Sequence, residues 1–164
     1  MKNKLLIFDL DQTLFSPITY PDEKYSKNFA RFYVDLKSDI KLGELLKHST
    51  NYIFTNANQE HMNVCLKKMR IKTRFKDFIY NDLYKGSYKP QKDVYELAIK
   101  KFKLKPTDTV FFFEDLKENL KTAHGLGWKT VLLDHEKKVK KKPSYIDYIF
   151  DNIYDAITFV QKLK

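Results

Sequence analysis

The chain is 164 residues long, carries a formal net charge of +10 and contains one cysteine, Cys65. That length suits a single domain, 1–164, with a core of its own. The lone cysteine excludes an internal disulfide, no paired Cys/His spacing suggests zinc, and no apolar run is long enough to cross a membrane or serve as a secretion signal, so a reduced, cytoplasmic protein is expected.

Strand-like and helix-like segments alternate along the chain. Residues 5–8, Leu-Leu-Ile-Phe, read as a central strand buried on both faces. Pro21 and Asp22 then suit a helix start, and Tyr25, Phe29, Phe32 or Tyr33, Leu36 and Ile40 follow at helical spacing. A short helix is expected over 42–47 and a second strand over 51–58, then a helix to about 70. A third strand is expected over 75–81, and Lys89-Pro90 opens a helix over 91–102. Thr-Val-Phe-Phe-Phe-Glu-Asp, 109–115, reads as a fourth strand, 116–126 as a helix ending near Gly127, and 129–133 as a fifth strand. The lysine run at 137–142 reads as a solvated loop, 148–150 as an edge strand and about 154–163 as a closing helix. Repeated strand–helix units predict a parallel sheet with helices on both faces.

Asp9 and Asp11 end the first strand. Carboxylates so close repel unless a cation or a shared proton intervenes. Taken alone, the pair also fits a turn or helix cap. However, Thr55, Asn56, Glu114 and Asp115 end predicted strands too, and Lys89 precedes a helix, where backbone amides favour anions. In a parallel sheet these ends share one edge, the edge at which open α/β sheets bind ligands. Their convergence displaces the turn-only reading.

These residues resemble the motifs of the haloacid dehalogenase superfamily of phosphohydrolases. Asp9-Leu10-Asp11-Gln12-Thr13 is similar to its Asp-x-Asp-x-Thr motif, Thr55-Asn56 to its second, Lys89-Pro90 to its third and Glu114-Asp115 to its acidic fourth. The resemblance spans nearly the whole chain. It implies a three-layer α/β/α Rossmann-like sheet and a Mg²⁺-dependent phosphomonoester hydrolase. By resemblance, Asp9 is the nucleophile and forms an aspartyl-phosphate, and Asp11 is the general acid and base. Mg²⁺ would be held by the Asp9 carboxylate, the Asp11 backbone carbonyl and the Asp115 carboxylate, with Glu114 reaching it directly or through water. Thr55, the Asn56 amide and Lys89 would hold phosphoryl oxygens, with Thr13 and Asn119 in support. The presence of Asp11 points away from a dehalogenase, whose halide leaving group needs no acid.

The run Phe111-Phe112-Phe113 with Glu114-Asp115, Asn119 and Gly127-Trp128 resembles the pyrimidine 5′-nucleotidase branch, though Trp128 also reads as plain core packing. That branch carries a large helical cap. Here the insertion at about 15–39 holds little more than one helix, so the cap is minimal or absent. Tyr20, Tyr25, Phe29, Arg31, Phe32 and Tyr33 either border the entrance or pack on the sheet. His61 and His124 read as surface or packing residues and Cys65 as a small buried hydrophobe.

Three functions follow. The first is a phosphatase of small phosphorylated metabolites, with nucleotides leading. The second is an open-site phosphatase of nucleic-acid ends or phosphoproteins, which the lysine run and net charge favour. The third is a non-catalytic binding protein on the same fold. No membrane partner is expected, and oligomeric state is not legible.

Overall fold

The computed structural model describes residues 4–15, 33 and 35–163. Most of the expected cap insertion at about 15–39, with the helix placed there, lies outside the described residues, as do Tyr20, Tyr25, Phe29, Arg31 and Phe32. Six strands form one parallel sheet: β1 (Lys4–Phe8), β2 (Thr50–Phe54), β3 (Asp77–Ile79), β4 (Thr109–Glu114), β5 (Lys129–Leu133) and β6 (Tyr148–Phe150). Their order across the sheet is β3-β2-β1-β4-β5-β6. The helices are α1 (Ile40–Leu45), α2 (Gln59–Lys68), α3 (Lys92–Phe102), α4 (Lys117–Gly125) and α5 (Ile153–Lys162).

Side-chain alternation along the strands builds two separate cores. Leu6 and Phe8 of β1 pack with Leu42 of α1, Met62, Cys65 and Leu66 of α2, and Ile153, Ile157 and Val160 of α5. Leu5 and Ile7 point the other way, to Val94, Tyr95 and Ala98 of α3 and Leu120 and Ala123 of α4. The apolar runs in β1, β2 and β4 are thus covered twice, while the edge strands β3 and β6 remain half-buried. Each fully buried large apolar side chain contributes roughly 1.5–3 kcal/mol by leaving water.

Local caps fix the helix starts. Asp39 accepts from Leu42 N at 2.9 Å, Asn58 from His61 N at 2.8 Å and Asn152 from Asp155 N at 2.9 Å. Asp39 also accepts from the Tyr154 hydroxyl at 2.6 Å, tying α1 to α5.

The expected elements recur with shorter ends. The second strand stops at Phe54 rather than residue 58, and the third spans only Asp77–Ile79. Thr55 accepts from Ala57 N at 3.0 Å and Asn58 caps α2, so side-chain bonds turn the chain out of the sheet. Between β2 and Lys89 lie only α2, β3 and two short 3₁₀ turns, so no large cap is inserted there. No helix among the described residues is long and apolar enough to cross a membrane.

Candidate active site

Register brings the site together. Phe8 lies opposite both Ile53 of β2 and Phe113 of β4. The next residue of each strand therefore abuts across the carboxyl edge: Asp9 sits between Phe54 and Glu114. Asp9 N continues the ladder to Phe113 O at 2.9 Å, and Thr55 N donates to Ile79 O at 3.0 Å.

Lys89 is the hub. Its ammonium donates to Asp9 Oδ1 at 2.7 Å, Glu114 Oε2 at 2.7 Å and Phe54 O at 2.9 Å, so all three donors are used. It lies over the rings of Phe54 and Phe112, at 5.2 and 5.3 Å from their centroids. Asn56 holds the Lys89 backbone from both sides: Lys89 N donates to Asn56 Oδ1 at 2.9 Å and Asn56 Nδ2 donates to Lys89 O at 3.1 Å. The Asn56 side chain is therefore engaged, and its backbone amide remains the group expected to meet a phosphoryl oxygen.

Glu114 accepts four hydrogen bonds. Oε1 takes Asp115 N at 3.0 Å and Leu116 N at 3.1 Å; Oε2 takes Lys89 Nζ and, at 2.8 Å, Asn119 Nδ2. Asn119 thus supports Glu114 directly. Thr55 is buried, and with Ala57 N on its Oγ1 its hydroxyl proton is free to be donated onward. Thr13 is fully buried and its hydroxyl has no hydrogen-bond partner among the described residues.

Asp11 stands apart from this network. Its side chain is 44% exposed and Oδ1 lies 2.7 Å from Nε2 of His61, in the first turn of α2. Nδ1 of the same ring lies 2.9 Å from the Tyr33 hydroxyl. The expectation of His61 as a surface or packing residue is therefore corrected: its ring is mostly buried and bonded to Asp11. The available signal was its place three residues after Asn58, in the turn of a helix that starts at the ligand-binding edge. His135 was also missed. Its Nε2 lies 2.6 Å from Gln12 O and its Nδ1 3.0 Å from Asp151 O, so it pins the turn in which Gln12 takes the left-handed φ of 59°. Within that turn Thr13 N and Leu14 N both bond Leu10 O, not the Asp11 carbonyl.

The charges divide unequally. Burial pushes the Asp9 carboxyl up, Glu114 adds to the rise and Lys89 pulls back, leaving it at about 7. Burial and the adjacent Glu114 push Asp115 up to about 8. Burial opposes the charges of Glu114 and Lys89 as well. In Glu114 the Lys89 ammonium and the hydrogen bonds outweigh it and hold the carboxyl below its ordinary value. In Lys89 the two carboxylates outweigh it and hold the ammonium above its ordinary value.

Carboxylate oxygens of Asp9, Glu114 and Asp115 lie within 4.8 Å of one another, a donor set that could hold a metal ion. Hard oxygen donors of this kind suit Mg²⁺. Because Glu114 already accepts four hydrogen bonds, Asp9 and Asp115 are the carboxylates best placed to reach a cation.

Residues 23–133 match the family model for haloacid dehalogenase-like hydrolases. Among solved structures, an L-2-haloacid dehalogenase from Xanthobacter autotrophicus is similar with a TM-score of 0.74 at 14% identity, over 99% of this chain and 100% of that one. A candidate phosphoglycolate phosphatase from Lactobacillus plantarum is similar with a TM-score of 0.71 at 16% identity, over 96% and 99%. A candidate HAD-hydrolase from Bacillus subtilis bound to magnesium gives 0.68 at 14%, over 98% and 99%. At these identities the likeness is one of fold.

Proposed function

The chain belongs to the haloacid dehalogenase-like hydrolases, and from that premise we propose that it is a Mg²⁺-dependent phosphomonoester hydrolase. The observation that carries the proposal is the unequal placing of the two aspartates. Asp9 is buried against Lys89, whereas Asp11 is half-exposed and bonded to His61 instead. That difference supports a reading in which Asp9 attacks and Asp11 moves protons.

In the proposed reaction Asp9 attacks phosphorus in line, and the bond from phosphorus to the leaving oxygen breaks as the aspartyl-phosphate forms. Asp11 gives that oxygen its proton. Asp11 then takes a proton from water, whose oxygen bonds phosphorus while the bond to Asp9 breaks. Lys89, the Thr55 hydroxyl and the Asn56 amide stabilise the phosphoryl oxygens. Asp9 and Asp115, with the Asp11 carbonyl as a third ligand, would hold Mg²⁺, which would supply further positive charge to stabilise the phosphoryl oxygens.

Similar folds include dehalogenases and a candidate phosphatase. A halide departs as a stable anion, so a dehalogenase would leave Asp11 without a task. Small phosphorylated metabolites, nucleotides first among them, are the proposed substrates. The lack of a large insertion between β2 and Lys89 favours a second reading, an open site for phosphorylated nucleic-acid ends or phosphoproteins. Incubation with 2-chloropropionate and with a phosphomonoester panel separates the activities. Phosphate release without chloride release is expected; chloride release would overturn the proposal. Within the panel, a preference for phosphorylated oligonucleotide that collapses with added salt would select the second reading.

A further inference from the structure

We propose that His61 is a positioning residue for Asp11, held from behind by Tyr33, and that it fixes one carboxylate oxygen so that the other faces the leaving group. This rests on the phosphomonoesterase reading of Asp11 given above.

The hydrogen bonds run in one direction. Nε2 of His61 lies 2.7 Å from Asp11 Oδ1 and 3.6 Å from Cys65 Sγ; the carboxylate oxygen, the nearer partner, only accepts, so Nε2 carries the proton. In the neutral ring Nδ1 then has a lone pair, and the Tyr33 hydroxyl 2.9 Å away donates to it. The Asp11 carboxylate thus selects the tautomer, and the Tyr33 hydroxyl, which can donate or accept, matches it and holds the ring from the other side. The anchor is firm because the His61 side chain is only 13% exposed and its helix turn is fixed by Asn58, which accepts from His61 N. Asp11 has no such support of its own: its side chain is 44% exposed and it follows a strand end. A half-exposed carboxylate with free rotamers loses effective concentration at the leaving oxygen, which this bond restores. Three segments far apart in sequence, at residues 11, 33 and 61, meet here. Tyr33 lies within the expected cap insertion at about 15–39, so its hydrogen bond to His61 ties that residue to the acid–base group.

Leaving-group dependence tests the role. An aryl phosphate such as p-nitrophenyl phosphate leaves without a proton, whereas an alkyl phosphate such as β-glycerophosphate requires one. Replacement His61→Ala is expected to lower kcat for the alkyl substrate about tenfold or more, within the 10²–10⁴-fold that acid–base catalysis supplies. The burst of p-nitrophenol release, which reports the first step alone with a leaving group that needs no proton, should keep its rate within about twofold. Replacement His61→Gln, whose amide can donate from a similar place, should recover part of the loss, and Tyr33→Phe should show the same alkyl-selective loss in smaller degree. Equal losses in alkyl turnover and in the aryl burst rate, or none in either, would overturn the proposal. Long-range ¹H–¹⁵N spectra of the wild-type protein read the relay without turnover. The Nε2–H tautomer of His61 is expected, and the Nδ1–H tautomer would overturn the proposal. A protein that hydrolyses none of the substrates yet shows the Nε2–H signature would instead contradict the phosphatase reading alone.

Discussion

The Lys89 ammonium and the Glu114 carboxylate meet 2.7 Å apart, each side chain only 1% exposed. A buried charge without a partner is costly, whereas this pair is saturated: Lys89 uses three donors and Glu114 accepts four bonds. Glu114 therefore works as the frame that sets Lys89, Asn119 and the start of α4, and in the proposed reaction Asp115 is the carboxylate left for a cation.

Removing one partner of that pair is expected to be expensive. Glu114→Ala should destabilise the protein by about 3–5 kcal/mol in urea unfolding, because Lys89 and two backbone amides lose their acceptor. Glu114→Gln keeps an acceptor and should cost less. An Ala variant as stable as wild type would show that the frame lies elsewhere.

Asp115→Asn should act in the opposite sense without metal. Burial and Glu114 raise the Asp115 carboxyl, so its ionised form strains the empty cluster. The Asn variant is expected to melt at or above the wild-type temperature in EDTA at pH 8, and to gain nothing from added Mg²⁺. A wild-type-like Mg²⁺ shift in this variant would remove Asp115 from the metal site.

The same carboxyls set the pH response. Asp9 at about 7 and Asp115 at about 8 stand above their ordinary 3.8. Between those limits the native state keeps protons that the unfolded chain has released. Native binding of more protons makes stability fall as pH rises. Melting in EDTA should therefore drop from pH 5.5 to 8.5, less steeply in Asp115→Asn, and Mg²⁺ should raise the melting point more at pH 8.5 than at pH 5.5. For a chain of this size 1 kcal/mol moves the melting point by roughly 2–4 °C. A Mg²⁺ shift independent of pH would contradict the cluster's protonation.

Trp128 supports the site from below. It packs 5.7 Å from Tyr95, 5.9 Å from Phe112 and 6.4 Å from Phe54 between ring centroids, and the last two rings also carry Lys89. Trp128→Ala should cost about 3–5 kcal/mol. Gly127→Ala should cost about 1–3 kcal/mol because φ there is +81°. Thermal unfolding checks both.

The fold was legible because doubly covered strands write themselves as apolar runs. Leu-Leu-Ile-Phe and Val-Phe-Phe-Phe need no partner to be recognised, and the polar residues at their ends mark the edge. Strand ends were less legible: Thr55 and Asn58 divert the backbone through side-chain bonds that no apolar pattern announces. That Asp9, Lys89, Glu114 and Asp115 gather at one edge was readable from residue types and their places after strands or before a helix. The hydrogen-bond partners within that group were not, because they meet across long sequence separations. Glu114 meets a lysine 25 residues earlier in the chain, and Asp11 meets a histidine 50 residues later. Glu114 and Asp115 are adjacent in sequence and their carboxylates gather with that of Asp9, yet only Glu114 is held by Lys89.

The most direct test of the central claim is phosphate release by wild type and Asp9→Asn, side by side, from nucleoside monophosphates, sugar phosphates, phosphopeptides and a phosphorylated oligonucleotide, with Mg²⁺ or EDTA. The account predicts release by wild type that requires Mg²⁺ and falls to background in a folded Asp9→Asn protein. Release that persists in Asp9→Asn, or a folded, Mg²⁺-binding wild type that releases nothing from any substrate, would contradict it.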